Sequence, residues 1–125
     1  HTRYQVPEST AFNGGEGIAY HEGMIFIATK GDNRIWQYET ATNTLHILYD
    51  DDNYAEPLLR GVDNIGIGPS GELLVAEDGD DMQVVVLLEG EEPFAIAQVV
   101  GQAGSEIAGP AIYGNRLYFS SQRGT

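Results

Sequence analysis

Apolar and polar residues alternate along this chain in short runs, and clusters of turn-forming residues separate one run from the next. The first runs are 18–20, 24–29, 34–39 and 44–49, divided by the turn-rich stretches HEG, KGDN and TATN. Ile35, Trp36 and Tyr38 are residue types that suit a pleated, partly buried strand. Residues 50–60 form an acidic loop closed by Pro57. A hairpin then follows, 63–68 and 73–78, turned at Pro69-Ser70-Gly71-Glu72, and after it come runs at 83–88 and 94–100. A third cycle starts at Ser105, continues to Tyr113, turns at Gly114-Asn115 and runs on through 117–121. No stretch keeps a helical period, so the pattern predicts an all-β chain.

These cycles repeat. The second strands begin near Ile25, Leu73 and Leu117, spacings of 48 and 44 residues. That period suits a four-stranded propeller blade. The expected boundaries are about 16–49 for blade one, 63–100 for blade two and 106–125 for blade three. The single domain, 1–125, is thus a half-ring of about three blades. A half-ring leaves open edges and an uncovered apolar face, a hazard that self-association removes. The segment 2–6 alternates polar and apolar residues and has no blade of its own. It is expected to complete the third blade of a partner, closing a six-bladed ring as a homodimer by strand exchange.

Charge narrows the chemistry. The chain has a formal net charge of −13 and a pI near 4.2. That excludes the basic footprint of a nucleic-acid binder, argues against docking on an anionic membrane surface, and fits cation binding. Without cysteine it has neither disulfides nor thiolate ligands. Asp63 and Asp78 stand at the two outer ends of the hairpin, and paired strands lie roughly 5 Å apart. Two carboxylates brought together repel unless a cation sits between them, and Ca²⁺ is the hard cation suited to all-oxygen ligands. Glu16, Asp63 and Glu106 each fall at the entry of a first strand, where the innermost strands of a propeller line its channel. Lys30 holds the place in cycle one that Asp78 holds in cycle two, and Arg123 is read as its counterpart in cycle three. Either cation can meet an anionic substrate oxygen, or simply balance the acids. His21 and His46 read as surface or packing residues, and no serine-histidine-aspartate set, zinc spacing or phosphate-cradling glycine motif is present.

Four motifs taken in order, FNGGEGIAY, ATKGDNRIWQYE, GVDNIGIGPSGELLVAEDG and GQAGSEIAGPAIYGNRLYFSSQRG, resemble the C-terminal third of the PhoX-type alkaline phosphatases. More distantly the chain is similar to gluconolactonase and paraoxonase calcium propellers. The resemblance implies a six-bladed propeller, an exported or periplasmic location, and metal ligation by the acids of GGEGI, GVDN and AEDG, which fall on Glu16, Asp63 and Asp78. It also implies a central calcium-and-iron cluster; this chain has no cysteine to bridge two irons, so Ca²⁺ is the expected ion and iron stays open without that support.

The function expected on these grounds is a Ca²⁺-dependent hydrolase of phosphate or related small-molecule esters, active as a homodimer. Its metal ligands are Glu16, Asp63, Asp78 and Glu106, with Lys30 and Arg123 assisting catalysis. The alternatives are a lactonase, a non-catalytic metal-stabilised binding module, and a fragment of a larger phosphatase of the PhoX type.

Overall fold

Ten strands account for the regular structure of the computed structural model, which describes residues 4–79 and 81–123. The first antiparallel sheet joins β1 (Gly15–His21), β2 (Met24–Thr29), β3 (Arg34–Glu39) and β4 (Thr44–Asp50) in sequence order. The second joins β5 (Val62–Ile67), β6 (Leu73–Glu77), β7 (Gln83–Leu87) and β8 (Phe94–Gln98) in the same way. The third pairs β9 (Ile107–Tyr113) with β10 (Arg116–Ser121). Apart from the segment 2–6, every strand inferred from alternation is present, and boundaries agree within two residues except at the start of β1, which begins three residues earlier. Of the segment 2–6, Thr2 and Arg3 lie outside the described residues, as do the last two residues of the third cycle. Tyr4, Gln5 and Val6 are exposed and form no strand within the single chain.

The second sheet is the middle layer. Leu73, Val75, Val85 and Leu87 pack towards sheet one, against Phe26, Ala28, Ile35 and Tyr49. The alternate residues of the same strands, Leu74, Ala76, Val84 and Val86, pack towards sheet three with Ile107, Ile112 and Leu117. A strand covered on both faces has no polar side to present, which is why LLVAE and QVVVL read as continuous apolar runs. The core therefore comprises two slabs with sheet two between them.

The three sheets share one local geometry at their inner ends. The backbone N–H groups of Lys30, Asp78 and Gln122 donate to the carbonyls of Gly14, Gly61 and Glu106 at 2.8, 2.9 and 3.0 Å. Pairing then passes through Gly15–Thr29, Val62–Glu77 and Ile107–Ser121, and a register shift follows in all three first strands. A bulge re-aims the side chains beside it. Here it falls beside Glu16 in β1 and Asp63 in β5. Backbones also come close between sheets: a Cβ at Gly17 would stand 2.5 Å from the Asp63 carbonyl oxygen, and one at Gly66 would collide with the Pro110 carbonyl oxygen. The first strands β1, β5 and β9 thus lie side by side in order.

Candidate metal centre

The inner end of β5 carries Asp63, whose side chain is 8% exposed. Asn64 fixes it, donating from Nδ2 to Asp63 Oδ1 at 2.6 Å while its own Oδ1 accepts the Gly109 N–H at 3.1 Å. Asp78 follows directly on β6, tied through its backbone N–H to Gly61. Glu106 precedes β9 and is held by the Gln122 N–H on its carbonyl. One carboxylate oxygen from each of Asp63, Asp78 and Glu106 lies within 4.8 Å of the others. The three come from two different sheets, and the β5–β9 contact brings them together.

Two cations adjoin this trio. Lys30, at the start of a short 3-10 turn after β2, hydrogen-bonds Asp78 and has its Nζ 3.8 Å from Asp63 Oδ2. Its pKa is raised, first by the Asp78 hydrogen bond and then by the charges of Asp78, Asp63 and Glu16, with burial opposing. Arg123 pairs with Glu106. The sequence-derived candidates therefore divide. Asp63, Asp78, Glu106, Lys30 and Arg123 form one connected cluster, whereas Glu16 is exposed on β1 and outside the trio, near enough only to act on Lys30 through its charge. Register also separates residues the repeat had equated. The counterpart of Lys30 and Asp78 in sheet three is Gln122, one place before Arg123, and Glu106 matches Gly14 and Gly61, two places before Glu16 and Asp63.

The trio fits a hard cation. Oxygens at about 2.3–2.6 Å from one ion stand at most about 5 Å apart, a limit these three carboxylates meet. Three carboxylates in mono- or bidentate modes supply part of the six to eight oxygens that Ca²⁺ takes, with water completing the shell. Neither a family model nor a curated protein matches the sequence.

Two residues of the region escaped the sequence reading. Asn64 lies inside the GVDN motif, but its part as the link from Asp63 to β9 depends on a contact 45 residues away. Glu77 is 1% exposed at the end of β6. Its signal in the sequence is a lone acid closing a run of four apolar residues, LLVAE. Glu77 Oε1 accepts the Arg60 N–H at 2.6 Å, while Oε2 has no partner among the described residues. Burial pushes its pKa up to about 7, opposed by backbone hydrogen bonds from Arg60 and Gln83 and by the Arg60 charge, and helped by the Asp81 charge.

Folding therefore favours the protonated form of Glu77. Its contribution to stability is fully present below the ordinary value of 4.5 and is lost as pH rises through about 7. The gap between the two values corresponds to about 3 kcal/mol. Glu77→Gln keeps an acceptor for Arg60 and cannot ionise. Urea unfolding of chelator-treated protein from pH 4.5 to 8 is expected to show wild type losing stability relative to this variant as pH rises.

Proposed function

We propose that the chain is a Ca²⁺-dependent hydrolase of phosphate or related esters, built as a half-propeller whose ring a second copy completes through exchange of the segment 2–6. The observation that carries the chemistry is the convergence of Asp63, Asp78 and Glu106 within 4.8 Å, with Lys30 and Arg123 at the rim. The propeller reading is supported by three sheets whose first strands are neighbours in order and whose inner ends share one hydrogen bond and one bulge.

Asp63, Asp78 and Glu106 would hold the ion, and Ca²⁺ bound there supplies Lewis-acid polarisation of an ester oxygen. The chain's own residues do the rest. Asn64 keeps Asp63 oriented towards the centre. Lys30, released from Asp78, offers an ammonium to an anionic oxygen of the substrate, and Arg123 offers a planar pair of donors beside Glu106. Both preferentially stabilise charge that grows on the leaving oxygen.

The same two cations favour a second reading. Lys30 and Arg123 already neutralise Asp78 and Glu106 without any ion, as expected of a binding module whose acids are structural. Lys30→Met separates the two. A partly exposed ion pair is worth up to about 1 kcal/mol, so removing the ammonium is expected to tighten Ca²⁺ binding about fivefold. In the hydrolase, the same variant loses turnover on phosphomono-, di- or triesters while its calcium affinity rises. A module binds the ion more tightly and hydrolyses neither phosphate esters nor lactones, before or after the substitution.

A further inference from the structure

The slab between sheets one and two is not apolar along its whole length. Lys30 and Asp78 are equivalent in the repeat, so Phe26 of β2 matches Leu74 of β6. Their cross-strand partners then match in turn: Gln37 with Val86, and His46 with Phe94. Gln37 and His46 stand on the same side of sheet one as Phe26, which packs towards sheet two. Two positions that are apolar in sheet two are therefore polar in sheet one, and a cleft opens beside them.

The cleft has two connected parts. The outer part holds about 510 Å³, a volume in the range of small-molecule sites, and Gln37, Glu39 and His46 border it from sheet one, with Glu89 from the turn after β7. A niche of about 140 Å³ adjoins it, sharing Met24 and Leu48 and lined also by Phe26, Leu73 and Leu87. No lysine or arginine borders either part. Other acids of the chain have a cation beside them: Lys30 for Asp63 and Asp78, Arg34 for Asp32 and Asp50, Arg123 for Glu106. Glu39 and Glu89 belong to no ion pair among the described residues; Glu39 Oε2 accepts the Thr42 hydroxyl at 2.6 Å. Gln37 directs its Nε2–H to Met24 Sδ at 3.6 Å, which leaves its amide oxygen as a further acceptor.

We infer that this cleft binds a small organic cation, a primary alkylammonium: the ammonium donates to Glu39, Glu89 and the Gln37 oxygen, and the alkyl chain fills the niche. An ammonium has three donors and no acceptor, which matches a mouth with acceptors and no cation of its own. The acids and histidine of the cleft do not converge as Asp63, Asp78 and Glu106 do, so a ligand with reach suits them better than a single metal ion. A net charge of −13 draws cations to the surface and repels an anionic ligand. Met24 begins β2 at the cleft, whereas Lys30 and the three acids lie past Thr29 at the other end, about 17 Å along the strand. Binding in the cleft is therefore separate from the metal chemistry.

The test is calorimetric titration of the full chain at saturating Ca²⁺ with hexylammonium, and in parallel with methylammonium, 1-hexanol and hexanoate. Hexylammonium is expected to bind once per chain, about tenfold or more tighter than the other three, since only it has both the charge and the chain. Glu39→Gln and Glu89→Gln are each expected to weaken it about fivefold and to leave Ca²⁺ affinity at the wild-type value. Both side chains are at least partly exposed, so the fold tolerates the change, and an unaltered urea midpoint verifies this. Asp63→Asn is expected to leave hexylammonium affinity unchanged. Hexylammonium binding that persists in a chain binding no Ca²⁺ would uphold the cleft and contradict the metal centre alone. No saturable hexylammonium binding, equal binding of methylammonium, hexanol or hexanoate, unchanged affinity in either glutamate variant, or a loss caused by Asp63→Asn would each overturn the inference.

Discussion

Asp63→Asn is expected to weaken Ca²⁺ binding about a hundredfold, the equivalent of about 3 kcal/mol, while leaving the fold in place. Asp63 is the most buried of the three clustered acids. The amide still accepts the Asn64 Nδ2–H bond, which keeps the link from Asn64 to the Gly109 backbone. Lys30 keeps its hydrogen bond to Asp78. The substitution therefore removes one formal charge and little else. Calorimetric titration of chelator-treated protein gives the affinity, and ester hydrolysis at saturating Ca²⁺ gives turnover. Binding equal to wild type would mean that Asp63 ligates nothing, and a shifted urea midpoint would mean that its role is structural.

Gly66→Ala is expected to cost about 3 kcal/mol, at the upper end of what overpacking does. Its new Cβ is aimed at the Pro110 carbonyl oxygen on β9, a backbone atom that cannot swing aside as a side chain would. Relief requires β9 to move away from β5. That movement would open the slab containing Ile107, Ile112 and Leu117 and draw Glu106 away from Asp63 and Asp78. Gly15→Ala is the matched control, since its Cβ meets nothing within 4 Å. Chemical denaturation is expected to leave the Gly15 variant near wild type and lower the Gly66 midpoint, with calcium affinity falling in parallel. Equal midpoints would show that β5 and β9 are not packed backbone to backbone.

Much of this architecture was legible because β structure announces itself locally. The turns after β1, β3 and β9 are spelled by Glu22-Gly23, Thr40 to Asn43 and Gly114-Asn115. The positive φ angles of Gly23, Asn43 and Gly114 explain why glycine and asparagine stand there. The hairpin placing Asp63 near Asp78 was legible for the same reason, as both strands and their turn are contiguous in sequence. The third acid was harder. Glu106 reaches the trio through β5–β9 packing, which no local pattern encodes, and strand-entry position did not separate it from Glu16. Gln122 rather than Arg123 is in register with Lys30, because their backbone N–H groups make the equivalent bonds, to Glu106 and Gly14. The ion pairs of Lys30 and Arg123 with the acids were foreseen as charge balance, but which carboxylate each would choose depended on that same register.

The most direct test of the central claim is a crystal structure of the protein grown with Ca²⁺, with anomalous scattering used to locate the ion. The expected result is a cation within roughly 2.3–2.6 Å of oxygens from Asp63, Asp78 and Glu106 together, with the Lys30 ammonium moved off Asp78. Lys30 still seated on Asp78, with no ion among the three carboxylates at saturating Ca²⁺, would contradict it.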